Sequence, residues 1–270
     1  MKVQPNIMLA NGLFKLKNDS YLNDFRKAGK IAAKSLLMLE KLVKDKTDLS
    51  LIEMDNLVEQ FIRDNGATPT FKGYDDFPSC CCMSVNLCLV HGSASSYKLQ
   101  EGDKISFDVG ATINGAIADT AISLIYGEPK EQWHSHMIKI TKECLDKAIA
   151  SIKVGKRIGC IGNAIYKHAR DNGYNVIEDY GGHCLCIDEN NNGILHAKPF
   201  IANKASCSEG IRIQPGMTMA IEPMIVRGDN STYINPKDDA IYTHSIGSHQ
   251  EHSVFIHEDH VEVITDRDSL

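Results

Sequence analysis

The sequence predicts a mixed α/β (α+β) domain built from two related halves, and three observations carry that expectation. Helical and extended apolar periods alternate in blocks: two helices, a strand-rich stretch, two more helices, a second strand-rich stretch. No low-complexity linker separates the blocks, and two segments of the first strand-rich stretch recur in order in the second. The composition, 43% apolar and 24% charged over 270 residues, is that of a globular chain long enough to bury a full-sized core.

Residues 1–16 form a lead without a clear period. Asn18, Asp19 and Ser20 offer N-caps for a helix over 20–45, along which Leu22, Phe25, Ala28, Ala32, Leu36, Leu39 and Val43 recur at helical spacing. A second helix is expected from Asp48 or Ser50 through Leu51, Met54, Leu57, Val58, Phe61 and Ile62, with Gly66 as its stop. From 68 to 126 the runs are strand-like and punctuated by Gly, Pro, Asn and Asp. Helical signals return over 129–153 and 160–172, and 176–265 is strand-rich again. The expected organisation is an N-terminal extension over 1–16 and a single domain over 17–270, with halves at about 17–127 and 128–266.

The repeat is legible in the residues. Gln100-Glu-Gly102-Asp-Lys-Ile-Ser-Phe107-Asp108 is similar to Gln214-Pro-Gly216-Met-Thr-Met-Ala-Ile221-Glu222. In each, a glycine turn launches a strand whose alternation ends on a carboxylate. Each half then supplies a second carboxylate before an apolar strand, Asp119-Thr-Ala-Ile-Ser-Leu-Ile and Glu251-His-Ser-Val-Phe-Ile.

Charge and composition exclude several classes. With 29 Lys+Arg against 35 Asp+Glu the net charge is −6, so no basic face for phosphate is expected and no direct nucleic-acid partner. No run of about 18 apolar residues exists, so no membrane-spanning helix is expected. The N-terminus lacks a secretory signal, and nine cysteines without one read as free thiols in a reducing cytosol; a cytoplasmic location is expected. Cys80-Cys81-Cys82 and Cys184-Leu-Cys186 lack zinc-site spacing. Neither GxGxxG nor GxSxG occurs, and His249-Gln-Glu251-His252 is not HExxH.

Four carboxylates stand out because burying an isolated charge is costly. Asp108 and Asp119 sit among Ile105, Phe107, Val109, Ile117, Ala118, Ala121 and Ile122. Glu222 closes Met217-Thr-Met-Ala-Ile221, and Glu251 leads into Ser253-Val-Phe-Ile. Divalent cations would compensate such a group, and two cations sharing bridging carboxylates would do so more fully. His183, after Gly181-Gly182, adds an imidazole and makes a five-residue set suited to Mn, Fe, Co or Zn.

At these residues the sequence resembles the type I methionine aminopeptidases over about 17–266. Ser84-Val-Asn86-Leu-Cys-Leu-Val-His91-Gly92 is similar to the family's histidine motif. Gly102-Asp-Lys-Ile-Ser-Phe-Asp108 with Ala118-Asp119-Thr120 resembles its aspartate pair, eleven residues apart. Pro215-Gly216-Met217-Thr-Met-Ala-Ile-Glu222-Pro223-Met224 and Gln250-Glu251-His252 resemble the remaining ligand motifs. The resemblance implies a pita-bread fold around a dinuclear metal site, with Asp108, Asp119, His183, Glu222 and Glu251 as ligands and Asp119 and Glu251 bridging. It implies catalytic roles for Glu222 as proton acceptor, for His91 at the substrate's amide, and for His196 at the scissile carbonyl oxygen. Phe71, Tyr74 and Phe77 fall where the family lines its methionine pocket. The implied activity is removal of initiator methionine from nascent chains whose second residue is small, at the ribosome exit, by a monomer.

The chain departs from the family in several places: His196-Ala197-Lys198-Pro199 lacks the usual acidic residue, the hairpin before Glu251 is short and lacks the usual tryptophan, Asp75 stands where relatives often carry a histidine, and the connection between the two histidines is longer. Cys184 follows His183, and His196 comes thirteen residues after it, six more than the family spacing. The extra residues, Asp188-Glu-Asn-Asn-Asn-Gly193, are expected to extend an exposed loop or hairpin while His183 and His196 still converge. Two rivals stand. A proline-specific pita-bread peptidase usually carries a further N-terminal domain, for which about 16 residues leave no room. A binding protein on the same fold would be expected to lose some ligands.

Overall fold

A computed structural model of the chain describes residues 19–188, 190 and 192–270; the expected extension over 1–16 lies outside them. The first block holds α1 (Asp19–Lys44), α2 (Leu51–Asp64), β1 (Thr68–Pro69), a 3-10 turn at Tyr74–Asp76, β2 (Cys81–Val85), β3 (Cys88–Val90), β4 (Lys104–Ile113) and β5 (Ala116–Ile125). The second holds α3 (Gln132–Ser151), α4 (Gly159–Asp171), β6 (Asn175–Val176), β7 (Gly181–Ile187), β8 (Gly193–Ala202), β9 (Thr218–Ile221) and β10 (Met224–Val226). It continues with β11 (Thr232–Ile234), β12 (Ile241–Thr243), β13 (Gly247–His249), β14 (His252–Ile256) and β15 (Val261–Val263). The alternation of blocks is the expected one.

One helix start differs in detail from the sequence reading and the other agrees with it. Asp19 and Ser20 are already inside α1, so neither caps it from outside, and Asn18 lies outside the described residues. Ser50, by contrast, closes a full capping box: Glu53 N donates to its hydroxyl, and its own N–H donates to the Glu53 carboxylate at 2.7 Å. The apolar stripe of α1 and α2 buries Leu36, Leu39, Met54 and Val58 against Ile105, Phe107 and Val109 of β4. Each such side chain contributes about 1.5–3 kcal/mol relative to exposure. α3 and α4 likewise cover the second half through Met137, Leu145, Ile161 and Ile165, packed with Met219, Ile221 and Val254.

Each half presents an antiparallel sheet. In the first, β4 lies between β2 and β5 and also pairs with β1; in the second the order is β15-β14-β9-β7-β8. Two three-stranded sheets, β13-β10-β6 and β11-β12-β3, complete the set. The two main sheets meet where β5 runs beside the segment entering β14. There Glu251 N donates to Ala121 O at 3.0 Å, Thr120 Oγ1 donates to Glu251 O at 2.8 Å, and Ser253 Oγ accepts from Asp119 N and donates to Asp119 O. This seam sets two acidic side chains from distant parts of the chain beside each other.

Candidate metal centre

The aspartates are placed by a turn. Asn114 and Gly115 both have positive φ and form the two-residue connection between β4 and β5, a geometry that Asn-Gly adopts readily. The resulting register sets Asp108 opposite Ala121 and Asp119 opposite Gly110. The two carboxylates are therefore diagonal neighbours on one face. In the other sheet His183 pairs with Ala220, and Ile221 pairs with His252. By alternation His183, Glu222 and Glu251 face one side. Gly182 is required beside His183, because a Cβ there would stand 2.4 Å from the Ala220 carbonyl oxygen.

These side chains converge in a cavity of about 500 Å³, whose wall includes all five expected ligands together with His91, His196, Phe71, Tyr74 and Phe77. Asp119, His183 and Glu251 each offer a donor atom within 4.8 Å of the others. His183 Nε2 is 3.5 Å from Glu222 Oε1 and 3.9 Å from Asp119 Oδ2. Donor atoms bound to one ion at about 2.0–2.2 Å lie at most about 4.4 Å apart, so the 3.5 and 3.9 Å separations around His183 Nε2 suit a shared cation. His183 Nδ1–H donates to the Cys184 carbonyl oxygen at 3.2 Å, which leaves the Nε2 lone pair toward the carboxylates.

The electrostatics call for compensation. Asp119 is pushed up to about 7 by burial, and Asp108, Glu222 and Glu251 are raised well above the carboxylate range by burial and by one another's charge. Burial, with His196 nearby, pushes His183 down to about 3 and keeps it neutral. Asp108 Oδ1, Asp119 Oδ1 and Glu251 Oε1 are enclosed without a hydrogen-bond partner. Orphaned oxygens facing a neutral imidazole are the donor set a divalent cation fits.

His196 reaches this site despite the longer connection. Its ring stands 4.8 Å from that of His183, and its Nδ1 is 3.2 Å from the Tyr74 hydroxyl. The β7–β8 pairing slips around Cys184, and such irregularities re-aim side chains. Of the extra residues, Asp188 stands at the end of that hairpin and accepts from the Asn190 and Asn192 amides at 2.8 Å. Gly193 opens β8 on the exposed hairpin and packs so closely on the β4–β5 turn that a Cβ would lie 2.9 Å from Gly115 O. Cys184 points into the apolar core of the second half and is not part of the cavity wall.

The aromatic trio divides. Phe71 is buried, Phe77 half-buried and Tyr74 exposed, held over His196 by the 3-10 turn. His91, at φ +62°, opens onto the cavity with its ring edge-on to Tyr180. Sequence reasoning missed three features. His249, 1% exposed, lies 3.3 Å from Glu222 Oε2 through its Nε2 and is pushed down to about 3 by burial. The HExxH comparison applied a helical template, whereas on extended chain His249 and Glu251, two apart, share a face. Arg267 donates to Thr120 Oγ1 at 2.6 Å, behind the seam that carries Glu251. Asp75, Asp76, Asp238 and Asp239 form an acidic outer rim, and among the described residues no Lys or Arg bridges any of them.

A model of metallopeptidase family M24 matches residues 23–260. Methionine aminopeptidase of Mycoplasma capricolum is 34% identical over 252 residues, covering 93% of this chain and 97% of that protein. Methionine aminopeptidase 1 of Bacillus subtilis is 34% identical over 253 residues, covering 92% and 98%. Among solved structures, methionine aminopeptidase from Thermotoga maritima superposes with a TM-score of 0.85 at 32% identity, over 94% of this chain and all of that one. Prolidase from Pyrococcus furiosus shares the fold at TM-score 0.72 and 21% identity, with this chain spanning 65% of its length.

Proposed function

The chain belongs to metallopeptidase family M24 and is a metallo-aminopeptidase that removes N-terminal methionine, and we propose that it does so where the second residue is small. The observation that carries this reading is the convergence of Asp108, Asp119, His183, Glu222 and Glu251 with His91, His196 and an aromatic wall in one cavity. We further propose that two divalent ions per chain, Co, Mn, Fe or Zn, would be held by those five residues, Asp119 and Glu251 contributing to both. When bound, they would supply Lewis acidity, making a water a stronger nucleophile near neutral pH and polarising the scissile carbonyl.

The chain's own groups then have defined tasks. Glu222 takes a proton from the attacking water and hands it to the leaving amine as the C–N bond breaks. His196 donates to the carbonyl oxygen as charge develops there, steadied by the Tyr74 hydroxyl. His91 meets the substrate amide. Phe71, Tyr74 and Phe77 receive the thioether side chain, to which aromatic rings are suited. The acidic rim attracts a free α-ammonium group, which favours an exopeptidase. A cavity of about 500 Å³ must take the methionine, the cations and the scissile peptide, which leaves room for a small second side chain. Nascent chains in the cytoplasm, at the ribosome exit, are the matching substrates.

The halves at about 17–127 and 128–266 each supply ligands, Asp108 and Asp119 from one and His183, Glu222 and Glu251 from the other. This supports one catalytic domain over 17–270, with a monomer as the working unit because one chain completes the site. The test is metal analysis paired with peptide cleavage. Met-Ala and Met-Gly peptides should be cut far faster than Met-Lys, whose long cation would be desolvated without a partner. A chelator should abolish turnover reversibly. Turnover that persists in demonstrably metal-free protein would refute the mechanism, and equal cleavage of Leu- and Met-initiated peptides would refute the selectivity.

A further inference from the structure

Two imidazoles flank the Glu222 carboxylate, one on each oxygen: His183 Nε2 at 3.5 Å from Oε1 and His249 Nε2 at 3.3 Å from Oε2. His183 belongs to the ligand set, whereas His249 has no task in the mechanism above. Its side chain is enclosed in the cavity wall, and neither ring nitrogen closes a hydrogen bond in this geometry. Leaving a buried imidazole unpaired is costly, and Glu222 Oε2 is the acceptor within reach of its Nε2.

The backbone that carries this ring is clamped from two sides. Ser123 Oγ donates to His249 O at 2.8 Å and accepts from His249 N at 2.9 Å. Since the one Ser123 proton is committed there, Ser106 donates to Ser123 at 2.8 Å, and the buried ammonium of Lys104 donates in turn to Ser106 at 3.2 Å. On the other side His249 pairs with Met224 across β10 and β13, and Gln250 N donates to Pro223 O at 3.3 Å. The segment holding Glu222 and the segment holding His249 are thus tied together next to the carboxylate.

We propose that His249 is a positioning residue for Glu222: its Nε2–H holds Oε2, so that Oε1 stays turned toward His183 and the carboxylate keeps one orientation for proton transfer. The inference rests on the functional reading above for the task of Glu222. Carboxylates that hold a metal are themselves hydrogen-bonded, and removing such a partner weakens affinity or rate by about 10–100-fold.

The experiment compares wild type with His249→Gln, which keeps an N–H donor, and His249→Leu, which keeps bulk without one. His249→Ala replaces the Leu variant if that one unfolds. The Leu variant should lower kcat for a Met-Ala peptide by about 10–100-fold, with KM within about twofold and unchanged metal stoichiometry; Gln should restore kcat to within about threefold. In Mn(II) titrations without substrate, the Leu variant should bind about tenfold more weakly and the Gln variant nearly as wild type. Wild-type kcat and Mn(II) affinity in the Leu variant, or a Gln variant no better than Leu, would overturn the proposal. Loss of one ion from both variants would also overturn it, making His249 a ligand instead. If wild type itself fails to cleave the peptide, the functional reading falls, and the Mn(II) titrations still decide the role of His249.

Discussion

Replacing Asp119 by Asn should stabilise the metal-free protein while removing its response to metal. Asp119 is 4% exposed, and burial raises its carboxyl from 3.8 to about 7. Each unit is worth about 1.4 kcal/mol, so ionised Asp119 costs the fold about 4 kcal/mol near pH 7.5. The folded value lies above the unfolded one. The penalty is therefore full above about pH 7, shrinks as pH falls, and vanishes below about pH 4. Asn fills the same volume without the charge, and the Ser253 hydroxyl still pairs with the backbone of residue 119. For a chain of this size about 2 °C accompanies each kcal/mol, so apo Asp119→Asn should melt up to about 8 °C above apo wild type at pH 7.5. At pH 5 the gap should shrink to less than half. Addition of metal at about 100 times its dissociation constant should stabilise wild type by about 2.7 kcal/mol and the variant far less. Differential scanning fluorimetry at the two pH values, with and without Mn(II), reads all of this. An Asn variant less stable than wild type without metal, or a gap that does not narrow in acid, would refute the crowded-carboxylate argument.

Three further outcomes follow from the geometry. His196→Ala should lower kcat by about 10²–10³ with unchanged metal content, the loss expected for one oxyanion donor, and steady-state kinetics with metal analysis would check it. Replacing residues 188–192 with Asn-Gly should leave kcat within about twofold, because Ile187 and Gly193 already pair across the hairpin end and a two-residue turn suits that closure. Gly193→Val should instead destabilise by about 1–3 kcal/mol in urea titration, since its Cβ would meet Ile117 Cδ1 at 2.5 Å.

Local pattern carried much of this protein. Helical spacing of Phe25, Leu36 and Leu39 and the alternation around Phe107 and Ile221 report which face each element buries, and that information sits within a few residues of itself. Carboxylates in apolar strands flagged the site for the same reason: the cost of burying a charge does not depend on knowing its neighbours. Even the placement of Asp108 beside Asp119 was available, because a two-residue Asn114-Gly115 turn fixes every pair along β4 and β5. What the sequence could not decide is what crosses between segments far apart in the chain. The seam joining Thr120 to Glu251 spans 131 residues, and Ser123 meets His249 across 126. The Tyr74 hydroxyl reaches His196 across 122. Gly193 reads as a loop residue until the β4–β5 turn is packed against it, and His249 reads as a failed helical motif until its strand faces Glu222. Period and propensity specify a residue's own face, but the partner on that face is chosen by register and packing of the whole chain, which only the folded structure contains.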